Sequence, residues 1–160
     1  MLRVVDTNVA KVANGRDTNA TPACRQAALQ ALRALLSNGR IVVDDAGEIV
    51  GEYRRHFNHN GAPGVGDQFF RLVLTEYGGR VERIRLEKNA DGSFVDFPSD
   101  PELVAFDLSD RKFAAASRKT GAPVVNATDR DWIHHRTALN RNGIAIEFVC
   151  GCDHSKWHLP

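Results

Sequence analysis

The sequence lacks a long apolar run, since no stretch reaches the roughly 20 apolar residues that a helix needs to cross a bilayer. Near its start, Asp6 stands where a secretion signal needs its apolar stretch. These absences predict a cytoplasmic protein with no membrane partner. Excess charge is absent too, and a formal net charge of +1 does not by itself indicate a nucleic-acid partner.

Cysteine is scarce, with three residues, of which Cys150 and Cys152 are only two apart. An odd number at this spacing does not predict a disulfide framework and fits a reducing compartment. With His154 and His158 these thiols offer soft-metal ligands, but Cys-x-Cys is not the usual zinc spacing. We therefore expect residues 151–160 to be a frayed C-terminal tail.

The chain is long enough to form one domain with its own core, at 160 residues. Its contents of 42% apolar and 26% charged residues are ordinary for a globular protein. Segments of helical periodicity alternate with short apolar runs at residues 2–5, 40–43, 122–126 and 144–149. Thr21 and Pro22 are an N-cap and a first-turn proline for one helix, and Gly39 ends it. The alternation predicts a three-layer α/β/α domain over residues 1–150 with a mostly parallel sheet.

The region near residues 80–98 is harder to assign from its pattern. Residues 81–87 alternate in polarity, Asn89 to Gly92 has the composition of a turn, and a short stretch from Ser93 to Phe97 follows. This order predicts an inserted hairpin, and an irregular excursion from the domain is the alternative.

Acidic residues follow the predicted strands. Asp6 comes directly after the first strand, Asp44 and Asp45 end the second, and Asp129 and Asp131 follow a later one. In parallel sheets the ligand site lies at the carboxyl ends of the strands. We therefore expect acids from distant parts of the chain to converge at one rim of the sheet.

Such a cluster predicts a hard metal ion, because packed carboxylates raise one another's pKa and a dication removes that cost. Oxygen-only ligands favour Mg²⁺, Mn²⁺ or Ca²⁺, and Mg²⁺ or Mn²⁺ can activate a water and neutralise a phosphoryl group. Asp6 and Asp110 are candidate ligands, and Asp110 lies on an apolar helix face where an acid needs a partner. Asp129 and Asp131 are alternatives for a further ligand, while Asn8 and Thr128 are candidates for supporting hydrogen bonds.

Glu48 and Glu52 are one helical turn apart and share a face, so either could point at the ion. The spacing from Asp45 to Glu48 fits a capping box, with Asp45 as the N-cap, which gives Glu48 a structural role. Glu52 has no such role in the pattern. We therefore favour Glu52 as the metal ligand and keep Glu48 as the alternative.

Four segments, taken in order, resemble the motifs of PIN domains. Each combines an acid with an apolar strand or an alanine-rich helix, and they are Val4–Asn8, Ile49–Arg55, Asp110–Ser117 and Val124–Trp132. The resemblance covers roughly residues 2–149. The stretch from Gly61 to Pro101 departs from it, because it is longer than in the compact toxins of this family.

The PIN-like resemblance implies a sheet of about five parallel strands and a metal-dependent nuclease, most often an endoribonuclease acting on RNA. It implies Mg²⁺ or Mn²⁺ as cofactor, with catalytic acids at Asp6, Glu52, Asp110 and Asp129. Family members include toxins of toxin–antitoxin pairs, and such domains often pair with a second copy. An antitoxin protein and a homodimer are therefore expected partners, although the longer central stretch leaves toxin status open.

Two other functions compete with the nuclease. A PIN-like domain can serve as a nucleic-acid-binding or scaffold module without turnover, but such a module usually loses a ligand, and this chain has the full set of acids. A phosphatase with an aspartyl nucleophile would need an acid two residues after Asp6, where this chain has Asn8. The sequence therefore favours the nuclease over both.

Overall fold

The structure, a computed structural model, describes residues 1–17 and 19–160. Five strands lie in these ranges, and they are β1 (Leu2–Val5), β2 (Arg40–Asp44), β3 (Val81–Ile84), β4 (Val124–Asn126) and β5 (Ile146–Phe148). The α-helices described are α1 (Thr7–Ala13), α2 (Pro22–Asn38), α3 (Glu48–His56), α4 (Val65–Thr75), α5 (Arg111–Thr120), α6 (Arg130–His134) and α7 (Arg136–Arg141). Short 3-10 turns lie at Pro101–Leu103, Leu108–Asp110 and His154–Lys156.

All five strands are parallel and lie in the order β3-β2-β1-β4-β5. Parallel crossovers are almost always right-handed, so connections that run in opposite directions along the sheet cover opposite faces. The helices between β1, β2 and β3 therefore cover one face, and those between β3, β4 and β5 cover the other. The predicted α/β fold with a parallel five-stranded sheet is confirmed.

The core forms where the central strands meet the alanine-rich helix. Val4 and Val5 of β1 are fully buried, and α5 packs across β1, β2 and β4 with Phe113 inward. The predicted start of α2 is confirmed, since the Thr21 side chain accepts a hydrogen bond from the backbone N–H of Cys24 at 3.3 Å. This packing fixes β1 at the centre of the sheet, with its carboxyl end directed at the rim.

The start of α3 differs from the predicted capping box. Asp44, the last residue of β2, accepts hydrogen bonds from the backbone N–H groups of Glu48 and Ile49 at 2.9 and 2.8 Å. Asp45 is exposed and Gly47 is the N-cap residue. The role predicted for Asp45 was wrong, because the buried neighbour one residue earlier already satisfies the free N–H groups of the helix.

The residues near 80–98 divide between the main sheet and a loop. β3 pairs in parallel with β2, so Val81–Ile84 is an edge strand of the main sheet. Beyond it, Lys88 and Phe94 form one isolated antiparallel bridge across a turn. Instead of a full inserted hairpin, the chain here has an edge strand followed by a loop, residues 85–99, which we call the 85–99 segment.

Two features of the C-terminal region correct the sequence analysis. Cys24 and Cys150 form a disulfide bond, so the absence of disulfides was wrongly expected. The last ten residues are packed rather than frayed, because Trp157 is fully buried and its carbonyl accepts the Thr21 N–H at 2.9 Å. Spacing between cysteines in the sequence cannot reveal a contact between residues 126 positions apart.

The described ranges, 1–17 and 19–160, contain no helix with both the length and the apolar character needed to traverse a bilayer.

The disulfide leads to a prediction about thiol reactivity. Protein purified without reductant and then denatured should show one thiol per chain, from Cys152, and three after reduction. Reduction should also lower the free energy of unfolding by about 2–4 kcal/mol, because the bond closes a long loop. Thiol titration and urea unfolding with and without dithiothreitol measure both effects. In the control C152S the unreduced count should fall to zero, and three thiols in the unreduced parent would contradict the bond.

Candidate metal centre

Three aspartates from separate parts of the chain meet at the rim of the sheet. One carboxylate oxygen of each of Asp6, Asp110 and Asp129 lies within 4.8 Å of the other two. Asp6 follows β1, Asp129 follows β4 and Asp110 precedes α5, so the topology rather than sequence proximity brings them together. Asp6 and Asp110 are only 3% and 6% exposed. The structure therefore joins three of the predicted ligands in one buried group, which we call the aspartate trio.

Each member of the trio also stands at the start of a helix. Asp6 caps α1, accepting the Asn8 N–H at 2.9 Å, and Asp129 caps α6, accepting the Asp131 N–H at 2.9 Å. Asp110 is the N-cap residue of α5, but its side chain makes no capping hydrogen bond. Helix N-termini carry partial positive charge, which favours carboxylates there. The carboxylates of Asp6 and Asp129 are therefore held by helix N–H groups, whereas the carboxylate of Asp110 makes no such contact.

Asp6 has a further partner on the far side of the site. The indole N–H of Trp132 donates to its Oδ2 at 2.5 Å, and Trp132 is fully buried against Phe106. With the Asn8 N–H on Oδ1, both oxygens of Asp6 have a fixed donor. The Asp6 carboxyl group is therefore the most rigidly held of the trio.

Burial and mutual repulsion raise the pKa values of the trio. Burial first, and then the charge of Asp129, raise the pKa of Asp6 to about 7. Burial, followed by the charges of Asp6 and Asp129, raises the pKa of Asp110 to about 10. The pKa of Asp129 is raised mainly by burial as well. Without a cation, the trio resists carrying its full negative charge at neutral pH.

These properties fit a hard divalent ion. The donors are carboxylate oxygens alone, which suits Mg²⁺ or Mn²⁺ rather than a soft metal. One carboxylate oxygen of Asp110 lies within 4.8 Å of one of Asp129, and a cation between them would remove their repulsion. A buried carboxyl group without a capping contact, beside two others, needs a positive partner. The aspartate trio therefore offers the chemistry of a Mg²⁺ or Mn²⁺ site.

Glu52 lies beside the trio but outside it. Its side chain pairs with the ammonium group of Lys112 and accepts the hydroxyl of Thr7 at 2.6 Å. Lys112 is nearly buried and also donates to the carbonyl of Ser109. Glu52 still contributes to the raised pKa of Asp6, so its charge reaches the site. The fourth predicted acid is thus paired with a lysine.

The structure does not bring Glu48 or Asp131 into the trio. Glu48 forms an ion pair with Lys88, in which both side chains are partly exposed. Asp131 accepts the backbone N–H of Asp107 at 2.7 Å and pairs with the imidazole of His135 at 3.1 Å. Of the two alternatives offered by the sequence for the last ligand, the geometry favours Asp129.

Asn8 and Thr128 connect the loops that carry the acids. The side-chain amide of Asn8 donates to the Asn126 side chain at 2.7 Å, and its oxygen accepts the Ala127 and Thr128 N–H groups at 2.8 and 3.2 Å. The Thr128 hydroxyl donates to Asp17 at 3.1 Å. These contacts fasten the start of α1 to the loop after β4. Neither side chain needs to touch an ion to support the site.

Three residues of the site were not singled out by sequence reasoning. Trp132 follows the Thr-Asp-x-Asp motif, and an aromatic residue at that place is a usable sequence signal for a donor to the first acid. Thr7 and Lys112 carry no such signal, because their contacts with Glu52 join residues 45 and 60 positions apart. Lys112 stands two residues after Asp110, and only the orientation of α5 turns it towards α3.

Comparison with known proteins supports the fold. No protein-family model and no curated protein matches the sequence. A solved structure does: the crystal structure of VapBC2 from Rickettsia felis bound to a DNA fragment from their promoter. The TM-score is 0.51 at 14% sequence identity, over 92% of this chain and 98% of that one. At this identity the likeness concerns the fold, and it agrees with the PIN-like architecture predicted from the four motifs.

Proposed function

We propose that this chain is a Mg²⁺- or Mn²⁺-dependent phosphodiester hydrolase, and specifically an endoribonuclease. The observation that carries the proposal is the convergence of Asp6, Asp110 and Asp129 from three parts of the chain into one group, in which Asp6 and Asp110 are buried and Asp129 is partly buried. The structural likeness to a VapBC2 chain supports the same fold class. Asp6 and Asp129 cap helices, but Asp110 has no capping contact that would offset the repulsion of three acids at the ligand-binding rim of a parallel sheet.

In this mechanism the trio holds the metal ion. When bound, Mg²⁺ or Mn²⁺ supplies Lewis-acid activation of water and neutralises charge at the phosphoryl group. Asp6, fixed by Trp132 and Asn8, would hold the ion together with Asp110 and Asp129. Glu52 acts through Lys112 and Thr7, which it holds at the edge of the site.

Lys112 has a role of its own in this proposal. Its ammonium group is held by Glu52 and Ser109 beside the acids, in a largely buried position. A fixed positive charge in a poorly solvated site stabilises negative charge that develops on a phosphoryl oxygen. Lys112 would therefore add to the charge stabilisation that a bound metal ion would supply.

Replacing Lys112 by methionine tests this role. We expect kcat for RNA cleavage to fall by about 10²-fold, because one preorganised charge is lost, while calorimetric Mn²⁺ binding persists. The double variant E52Q/K112M avoids an unpaired buried acid and should recover the thermal stability of the parent without its activity. The matched control is K119M on the same helix, where Lys119 pairs with Asp96 at 3.3 Å far from the trio. A K112M enzyme as fast as the parent would remove Lys112 from the mechanism.

The function is tested by incubating the purified chain with labelled single-stranded RNA and single-stranded DNA. Each substrate is incubated with Mg²⁺, with Mn²⁺ and with a chelator. We expect RNA cleavage that requires the metal, and faster cleavage of RNA than of DNA. Cleavage that continues in chelator, or none with either metal, would reject the proposal.

The scaffold function remains the second candidate, since PIN-like domains without turnover keep the same sheet. Calorimetric titration with Mn²⁺ separates the two, because a scaffold with a lapsed site has no need to bind the ion. The intact trio favours the enzyme.

We further propose that the chain acts as the toxin of a toxin–antitoxin pair, with a protein antitoxin as partner and RNA in the cytoplasm as target. The fold likeness to a chain of a VapBC2 complex supports such a partner. Disulfides are rare in reducing compartments, so the redox state of Cys24 and Cys150 inside cells reports on the location of the protein. Alkylating thiols in freshly lysed cells and counting them by mass tests the location. Three reduced cysteines would agree with the cytoplasm.

A further inference from the structure

A cleft of about 690 Å³ opens beside the catalytic acids. Glu52 and Lys112 line it, and the charge of Glu52 acts on Asp6 and Asp110 of the trio, although the three aspartates themselves are not part of the cleft lining. One side is α3 and the opposite side is the turn of the 85–99 segment, from Asp91 to Phe94. This is the part of the chain that is longer than in the compact PIN toxins it resembles. The cleft therefore adds a surface next to the proposed reaction centre.

The wall formed by the 85–99 segment is well ordered and carries an aromatic ring. The Val95 N–H donates to the Glu87 carbonyl at 2.9 Å, and the Asn89 N–H donates to the Ser93 carbonyl at 2.8 Å. Phe94 is partly exposed on this wall, and the ammonium group of Lys88 lies 5.1 Å from the centre of its ring. A fixed, partly exposed aromatic residue is a surface on which a nucleic-acid base can stack.

The α3 wall is bare over one helical turn. Gly47 and Gly51 both line the cleft, and a Cβ atom added at either position would meet no other atom within 4 Å. Glycine inside a helix costs about 1 kcal/mol relative to alanine, and packing does not require it at Gly51. The open space at this turn instead leaves room for a bound group between α3 and Phe94.

Among the described cationic residues that line the cleft, Arg55 is the one with no ion pair or side-chain hydrogen bond, so its guanidinium group can bind a phosphate. Lys88 pairs with Glu48, and Lys112 pairs with Glu52. Arg111 donates to the backbone carbonyls of Leu103, Val104 and Phe106. Arg55, one turn beyond Gly51 on α3, is exposed at the mouth of the cleft. Its planar fork suits a phosphate group.

We propose that this cleft binds one unpaired nucleotide next to the scissile phosphate, with its base stacked on Phe94 and a backbone phosphate bound by Arg55. The proposal rests on the proposed function and adds to it a nucleotide subsite formed by Phe94 and Arg55 of this chain. In a duplex both faces of each base are covered by stacking, so a base can reach Phe94 only where the strand is unpaired. The absence of side chains at Gly47 and Gly51 gives the nucleotide its space.

The test measures binding separately from catalysis. Fluorescence anisotropy in chelator follows a labelled 12-nucleotide RNA, its duplex form and the DNA of the same sequence on the full chain. Loss of one base stack weakens binding by roughly 5- to 150-fold, so we expect F94A and F94L each to raise Kd for single-stranded RNA about 10-fold. F94W should retain the affinity of the parent, because it keeps the stacking surface.

Two further variants separate the cleft from general charge effects. G51W should fill the cleft and abolish tight binding, and R55A should weaken it several-fold, while R33A, on the exposed face of α2, should bind as the parent does. Circular dichroism checks that each variant folds. If G51W does not fold, F94L still tests whether the cleft binds RNA. Equal affinity of F94A, F94L and the parent would overturn the proposal, as would tighter binding of duplex than of single strand. Metal-dependent hydrolysis of methyl 4-nitrophenyl phosphate by the parent tests the proposed function independently of the cleft.

Discussion

D110N should lose metal-dependent RNA cleavage by about 10³-fold while keeping its fold, since loss of one charge-stabilising group costs up to that factor. Asp110 is the member of the trio whose side chain caps no helix, so asparagine removes a ligand without removing a cap. It is also the acid whose pKa is raised furthest, to about 10. Because a carboxyl group with a pKa of about 10 is already protonated in the metal-free protein at neutral pH, the neutral asparagine should not destabilise it.

The measurement is a cleavage rate in Mn²⁺ together with calorimetric Mn²⁺ binding for the parent and D110N. D107N is the matched control at the same helix entrance. Asp107 accepts the Ser109 N–H at 2.7 Å, and asparagine can still accept that bond. We expect D107N to keep its Mn²⁺ affinity and D110N to lose it. If D110N cleaves RNA in Mn²⁺ at the rate of the parent, the trio is not the reaction centre.

In chelator, the stability of the protein should fall as pH rises from 5 to 8. The pKa of Asp6 is raised from 3.8 to about 7 on folding, so the folded state holds a proton that the unfolded state releases near pH 4. The contribution of protonated Asp6 to the free energy of unfolding is therefore fully present below about pH 4 and is lost as pH rises through 7. For Asp6 alone the free energy of unfolding falls by about 4 kcal/mol from below pH 4 to above pH 7, of which about 3 kcal/mol lies between pH 5 and 8, and Asp110 extends the loss to higher pH. Carboxyls with lowered pKa, such as Asp100, act in the opposite direction but only in the acid range.

Urea unfolding in chelator at pH 5, 6, 7 and 8 measures how the free energy of unfolding changes with pH. The same series in Mn²⁺ tests whether a bound ion removes that change. A bound ion stabilises the native state by mass action, so Mn²⁺ should raise stability most at pH 8, where the trio is most highly charged. D110N should show a smaller slope in chelator and a smaller response to Mn²⁺. A parent protein whose stability rises from pH 5 to 8 in chelator would show that the trio is not held protonated.

Much of the fold could be predicted because it depends on local pattern and on order along the chain. The apolar runs of β1, β2 and β4 are continuous, as expected for strands buried on both faces. The start of α2 at Thr21 and Pro22 follows from capping rules alone. The trio could also be anticipated, because three of its features are local: an acid after β1, an acid after β4 and an acid opening an alanine-rich helix.

What could not be predicted depends on contacts between distant residues. The sequence pattern gives Glu52 no partner. Its pairing with Lys112 follows only from the packing of α3 against α5. The Cys24–Cys150 bond and the packed C-terminal residues depend on where α2 begins relative to β5. In each case the missing information was spatial.

The double duty of the acids at helix starts limits how this site can decay during evolution. Asp6 and Asp129 each cap a helix and are proposed to bind the ion, so an apolar replacement would lose a cap worth about 1 kcal/mol in addition to the proposed activity. Asn or Ser would keep the cap but would lack the carboxylate that the proposed metal site needs. Inactive descendants of this chain should therefore carry Asn or Ser at positions 6 and 129, and position 110, where no cap is at stake, should drift freely.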